Sequence, residues 1–254
     1  MNYFTALSSY ASSKSLNLDF VRNLASSPRF QKALRVGAAL TLVIGTNRLL
    51  TQLALNNLSR THDWDWSEDI VMVTGGCNGI GELVCRKLAS HGIKVVAVDL
   101  QPPQVPFPDN IFYYRLDVTS SQYISQIAKS IRQAVGEPTV LINNAGVASL
   151  KTILGESEED IRRTFDVNVV AHFLLAGEFL PWMIRQDHGH IITIASMASY
   201  ITVASGVDYC ASKAAALAFH EGLAQELKYK YNAKHVRTRS IAPGRYYRSL
   251  NLTC

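Results

Sequence analysis

Tyr209 and Lys213 stand four residues apart in YCASK, a spacing that places both side chains on one face of a helix. A free phenol ionises near pH ~10, too high for an efficient base at neutral pH, and an adjacent ammonium lowers that value. The two residues together make a tunable proton donor and acceptor. Tyr-x-x-x-Lys on its own is usually a solvated helix face, so its meaning depends on its company. Ser196 closes the apolar run HIITIAS, and Asn168 lies in DVNVV within a helical stretch ahead of that run. A phenol, an ammonium, a hydroxyl and an amide are thus available for moving a proton beside a reacting oxygen.

A strand-end hydroxyl can meet a helical Tyr/Lys pair only on a scaffold of alternating strands and helices. From Asp69 onward the chain has that character. IVMVTGG, KVVAVDL, IFYYRLDV, TVLINNAG, HIITIAS and VRTRSIAPG each combine β-branched residues with a turn or small residue, and helical stretches lie between them. The alternation predicts an α/β fold, a Rossmann-like doubly wound parallel sheet with helices on both faces and ligands at the carboxyl ends of the strands. The first strand ends in TGGCNGIG, residues 74–81, and runs into a helix at Glu82-Leu83-Val84. Gly75, Gly79 and Gly81 permit a tight turn and close backbone approach to a pyrophosphate at a helix N-terminus. A glycine pattern alone is weak; the strand before it and the helix after it supply the context. Asp99 ends the second strand, 24 residues beyond Gly75. That spacing suits an acid on a ribose 2′-hydroxyl, and a carboxylate repels a 2′-phosphate, so NAD is favoured and NADP less so. The proline-rich QPPQVPFPDN that follows is expected as a loop, which leaves Asp99 no helix to cap.

TGGCNGIG, LDV, NNAG, the Asn168 helix, Ser196, YCASK and APG occur in an order and approximate spacing that resembles the short-chain dehydrogenase/reductase family, over residues 69–245. The resemblance implies that Tyr209 is the catalytic acid/base and that Ser196 hydrogen-bonds the substrate oxygen. Lys213 would bind the nicotinamide ribose while lowering the tyrosine pKa, and Asn168 would hold a water that relays protons. Gly75, Gly79, Ile80 and Gly81 would line the pyrophosphate, Asp99 the adenosine ribose, and Asp117 and Val118 the adenine. Asn144, Ala145 and Gly146 would form the floor of the cofactor cleft, with Pro243 and Gly244 as its closing turn. The implied reaction is reversible hydride transfer between a carbinol carbon and the nicotinamide. The leader resembles that of the membrane-associated branch handling retinoids, steroids and long-chain alcohols. The expected substrate is accordingly a small lipophilic alcohol or ketone, and a homo-oligomer is expected because such enzymes are often dimers or tetramers.

Beyond Pro243-Gly244 the pattern departs from that family. Arg248 occupies the position of a cofactor-contacting threonine, and six residues follow it. A substrate-covering segment and a last edge strand are therefore expected to be lacking, with residues 67–254 a C-terminally incomplete domain and the strand around Val236 to Ile241 left with an open edge. The alternative function on this reading is a catalytically silent nucleotide-binding or interaction protein.

The chain has 254 residues and a formal charge of +5, but residues 1–60 carry seven Lys/Arg against a single acid, Asp19. The remainder is nearly neutral, which disfavours nucleic acid as a partner and points to a basic leader, residues 1–66. VGAALTLVIGT, residues 36–46, is uncharged and apolar but shorter than the ~20 residues of a spanning helix. Past Arg48 the residues Leu49, Leu50, Leu53 and Leu58 suggest an amphipathic continuation, with Trp64 and Trp66 as interface anchors. A segment dipping into or lying on a cytosol-facing membrane surface, of endoplasmic reticulum or lipid droplet, accounts for both halves. A soluble helix packed on the body and a cleaved mitochondrial transit peptide are the alternatives. Cys77, Cys85, Cys210 and Cys254 form no disulfide-like framework and read as free thiols. His188-Gly189-His190 lies in a turn before a strand without metal-ligand spacing, so no metal is expected.

Overall fold

The computed structural model describes residues 26–55 and 66–243. The sequence-based expectations for residues 1–25, Leu58, Trp64, Gly244 and Arg248 lie outside the described residues. The chain divides into two compact units, residues 1–60 and 61–254.

Among the described residues of the first unit the helix α1 (Pro28–Leu55) runs for 28 residues, about 42 Å at 1.5 Å per residue. The apolar run and its expected continuation as far as Leu55 lie on this one helix. Leu34, Val36, Leu40, Leu42, Val43, Ile44, Leu49 and Leu50 are all exposed, and at 100° per residue they fall around the whole circumference. Of the residues expected to form the amphipathic continuation, only Leu49 and Leu50 have side chains among those described. The stretch Pro28–Thr51, 24 residues, is long and apolar enough by length and composition to cross a bilayer. Arg48 falls within one turn of its end.

The second unit is built on six parallel strands: β1 (Ile70–Thr74), β2 (Lys94–Asp99), β3 (Ile111–Arg115), β4 (Val140–Asn143), β5 (Gly189–Ile194) and β6 (Val236–Ile241). Their order is β3-β2-β1-β4-β5-β6. The order reverses between β1 and β4, so the crossovers to either side leave a crevice at the carboxyl ends of these two strands. Among the described residues β3 and β6 are the sheet edges.

The helices of this unit are α2 (Gly79–Ser90), α3 (Ser121–Ala134), α4 (Glu158–Phe165), α5 (Ala171–Gln186) and α6 (Val207–Tyr229). Side chains alternate across the pleat, and both faces of the sheet are covered. Met72, Val96, Leu141 and Ile191 pack one face against Leu175, Phe179, Phe219 and Leu223 of α5 and α6. Val71, Val73, Val95, Val140 and Ile142 pack the other against Cys85 and Ala89 of α2. This two-sided burial is why β1 is apolar at nearly every position instead of alternating.

Two local features position the site. Residues 100–110 form a helix-free loop, as the prolines predict. Arg86 ties that loop to α2, donating to Val105 O at 2.7 Å and Pro106 O at 3.2 Å while pairing with Glu82 at 2.7 Å. Between α4 and α5 lies a π-turn, Asp166–Val170, with Asn168 at its centre.

Candidate active site

The glycine turn after β1 is shaped by steric need. Gly75 and Gly79 have φ of +61° and +54°, in the left-handed region that favours glycine. At Gly81 the constraint is space, because a Cβ there would lie 2.0 Å from the Gly75 carbonyl oxygen and 2.6 Å from Asn144 Nδ2. The N-cap residue of α2, Asn78, makes no side-chain capping bond. The first-turn N–H groups of α2, with the positive end of its dipole, are suited to an anion.

Thr74 is the knot between this turn and the NNAG loop after β4. Its hydroxyl accepts from the N–H of Asn144 at 3.0 Å and of Ala145 at 2.9 Å. Asn144 Nδ2 in return donates to Thr74 O at 2.8 Å and Gly75 O at 3.2 Å. Beside these bonds lies a cleft of about 340 Å³ lined by Gly75, Ile80, Asp99, Asp117, Val118, Asn144, Ala145 and Gly146, together with Arg163 and Val167. Eight sequence-expected residues thus share one cavity. Asp99 Oδ2 accepts from the Cys77 N–H at 3.1 Å, which links the carboxylate to the glycine turn. Cys77 and Cys85 beneath that turn are buried thiols, each pushed up to about 12, chiefly by burial. They are poor nucleophiles and serve as packing. Cys210 is also a buried free thiol, and Cys254 lies outside the described residues. Among the described residues no cluster of His, Cys, Asp and Glu is arranged to hold a metal.

The proton-handling groups stand at the neighbouring strand ends. Tyr209 and Lys213 are one turn apart on α6, with Lys213 Nζ 5.8 Å from the Tyr209 ring centroid. Lys213 is 4% exposed, and burial brings its ammonium down to about 8. One of its protons goes to Ile194 O at 2.7 Å, which fixes the head group beside the end of β5. Ser196 caps the short 3-10 turn Met197–Ser199, its Oγ accepting from the Ala198 N–H at 3.1 Å. The Ser199 hydroxyl donates to Lys213 O at 2.8 Å, tying that turn to α6. A Cβ on Gly146 would lie 3.4 Å from both Lys213 Nζ and Asn168 Oδ1, so the NNAG loop, the Asn168 helix and α6 meet at this residue.

Asn168 is fully buried and its amide is committed. Nδ2 donates to Val147 O and Ser212 Oγ, each at 2.9 Å, and Oδ1 accepts from the Val147 N–H at 2.8 Å. The side chain pins the cofactor-side loop to α6. Pro243 lines an apolar hollow with Trp66, Val84 and Ile194 on the α2 face, and Ile80 lines both this hollow and the cleft.

A family profile described as short chain dehydrogenase matches residues 69–250. The chain belongs to the short-chain dehydrogenase family. Within that family it is 46% identical to dehydrogenase RED2 of Cochliobolus heterostrophus over 205 residues, 78% of this chain and 77% of the other. It is 33% identical to estradiol 17-beta-dehydrogenase 11 of Mus musculus, over 69% of this chain and 61% of the other. The chain therefore spans between about three fifths and three quarters of the length of these curated relatives. Among solved structures, 4-hydroxyisoleucine dehydrogenase complexed with NADH aligns with a TM-score of 0.62 and 25% identity, over 70% of this chain and 75% of that one. A metagenomic short-chain oxidoreductase in complex with NADP aligns with a TM-score of 0.61 and 30% identity, over 70% and 82%. As a member of this family the chain is a nicotinamide-dependent dehydrogenase in class, and the glycine-walled cleft fits such a cofactor.

Several residues that build this short-chain dehydrogenase site escape sequence inspection. Thr74 and Ser212 lie within TGGCNGIG and YCASK but are not singled out by their type or spacing, and Arg163 lies in no motif.

Proposed function

We propose that the chain is an NAD(H)-dependent dehydrogenase that interconverts a lipophilic alcohol and its carbonyl compound at a membrane surface. The observation that carries the reaction is the convergence of Tyr209, Lys213 and Ser196 at the strand ends beside a glycine-walled cleft. Bound there, the nicotinamide supplies the hydride acceptor or donor. The residues do the rest. Tyr209 moves the hydroxyl proton, and Ser196 holds the same oxygen with the hydroxyl proton that its capping bond leaves unused. Lys213 has protons beyond the one given to Ile194 for ribose hydroxyls, and its charge favours the ionised phenol. Because the Asn168 amide is occupied, a relay water is assigned to the backbone of the π-turn, where the i−4 ladder is interrupted. Asp99 in the adenosine end of the cleft supports NAD over NADP.

The apolar α1 supports membrane association, of an endoplasmic reticulum or lipid-droplet surface before a mitochondrial one. An apolar groove between α5 and α6, lined by Phe173, Leu180, Pro181 and Phe219, is the surface offered for a homo-oligomer. The test follows NADH absorbance over a panel of retinols, steroid alcohols and long-chain alcohols, with Tyr209→Phe alongside. Turnover is expected with at least one alcohol and is lost in the variant; activity surviving Tyr209→Phe overturns the acid/base assignment. Asp99→Ala should weaken NADH binding at least about tenfold without improving turnover. Flotation with liposomes should require residues 1–60, and equal flotation without them rejects the membrane role.

A further inference from the structure

Two consecutive arginines stand on α4, and their side chains are used differently. Arg162 pairs with Glu158 one turn earlier at 2.7 Å, on the exposed face. Arg163 lines the cofactor cleft, and among the described residues its guanidinium has neither an ion-pair nor a hydrogen-bond partner. It is the single cation among the residues lining the cleft, which include two carboxylates, Asp99 and Asp117. The Oδ1 of Asp117 is already occupied, accepting from the Thr119 N–H at 3.0 Å and from its Oγ1 at 2.7 Å. The backbone that carries Arg163 is held on both sides. Asp160 closes a capping box with Ser157 and pairs with Lys151 at 2.6 Å, which fixes the start of α4. Thr164, the next residue, is 2% exposed and donates to Asp208 Oδ2 of α6 at 2.8 Å. An unpartnered guanidinium thus projects from an ordered turn, where binding a ligand costs little further backbone ordering.

Position along the cleft decides what that group can meet. The cleft extends from Gly75 after β1 to Leu116, Asp117 and Val118 after β3. Arg163 also lines a second hollow that includes Thr119 and Asp166, which sets it toward the β3 end. With β2 between them, β1 and β3 are about 10 Å apart at the spacing of neighbouring strands. The anion seat at the α2 N-terminus belongs to the β1 end. At the β3 end the walls include apolar Leu100 and Val118, and no aromatic residue is among those lining the cleft. A guanidinium is planar, weakly hydrated and attracted to the face of a π-system.

We propose that Arg163 is a cofactor-binding residue that stacks its guanidinium on the adenine ring of the dinucleotide, in place of the aromatic side chain that this end of the cleft lacks. The assignment rests on the nicotinamide-dinucleotide reading of the cleft and adds a residue to it. Arg163 has no part in the proton transfer at Tyr209. Its contribution is to hold the adenosine half, which anchors the dinucleotide from the end away from the reacting atoms.

Titration calorimetry on wild type, Arg163→Ala and Arg163→Lys tests this with four ligands: NADH, NADPH, ADP-ribose and reduced nicotinamide mononucleotide, which lacks the adenosine. Arg163→Ala should weaken NADH and ADP-ribose alike by about tenfold and leave the mononucleotide within about twofold. Lysine keeps the charge and loses the plane, so Arg163→Lys should recover less than about half of that loss. The side chain is exposed, and without ligand both variants should melt within about 2 °C of wild type. A loss that spreads to the mononucleotide, or full recovery in Arg163→Lys, reveals a phosphate contact and overturns the stacking, as does unchanged affinity in Arg163→Ala. A loss confined to NADPH assigns the guanidinium to a 2′-phosphate and overturns it equally. Should the mononucleotide bind too weakly to read, the contrast between alanine and lysine with ADP-ribose decides. A wild-type chain that binds ADP-ribose but not NADH still tests the stacking while the nicotinamide reading alone fails; binding of neither removes both.

Discussion

Lys213 offers a sharp test because its contribution to activity opposes its contribution to stability. It is 4% exposed, and burial brings it from the ordinary 10.5 to about 8. That gap corresponds to about 3 kcal/mol of penalty for keeping a charged ammonium in the folded chain. Replacing it by methionine keeps a flexible apolar stem and removes the charge. The substitution also leaves Ile194 O without its donor, which costs about 1 kcal/mol. Lys213→Met should therefore stabilise the fold by about 2 kcal/mol at pH 7, raising Tm by about 4–8 °C. The pH dependence fixes the cause. Below pH 8 the lysine is protonated in both folded and unfolded chains, and the penalty is present in full. Between about 8 and 10.5 the folded chain has released the proton while the unfolded chain still binds it, so wild-type stability rises with pH. The advantage of Lys213→Met should thus shrink to nothing near pH 10, as read by thermal unfolding at pH 7 and pH 10, while turnover drops about 100-fold or more. A variant melting at or below wild type at pH 7, or gaining equally at both pH values, refutes this account of Lys213.

Two further predictions follow from steric and titration effects elsewhere. Gly81→Ala forces a Cβ to within 2.0 Å of a backbone oxygen and should cost about 3 kcal/mol in urea unfolding together with NADH binding. Gly79→Ala meets open space and only a left-handed φ, so it should cost about 1 kcal/mol, and the reverse ranking rejects the distinction. His172 is 2% exposed, and burial, with the Lys213 charge second, lowers its pKa to about 3. Below pH 6.5 the unfolded chain takes up a proton that the folded one refuses, so stability falls with pH, by about 2 kcal/mol at pH 5. His172→Phe should remove that loss from the difference in urea midpoints between pH 7 and pH 5, with His190, lowered to about 4, keeping a residual slope.

Much of the fold could be read from local patterning because its signals are local. Six β-branched runs with small residues at their ends gave the six strands, and the prolines after Asp99 gave a loop where a helix is usual. The four-residue spacing of Tyr209 and Lys213 is a property of one helix and needed no tertiary knowledge. What escaped was cooperative. Thr74 matters through bonds to residues 70 positions away, and the Asn168 amide is claimed by Val147 and Ser212, which no spacing rule relates to it. The continuity of α1 was obscured by Arg48, a charge that reads as a break until it is seen near a helix end.

The π-turn at Asp166–Val170 has a consequence for how this molecule tolerates change. A helix advances about 100° per residue, so one extra residue in a turn rotates everything after it by that amount. The rod from Glu158 to Gln186 is therefore two helices with a phase offset, like a vernier set between two scales. Its first part places Arg163 at the cleft, and its second places Leu175, Phe179 and Met183 against the sheet. With the offset built in, each part can meet its own neighbours, and neither alignment dictates the other. Removing a single residue from DVNVV would bring the scales back into step, and the core-facing residues of α5 would then turn away from the strands that they cover.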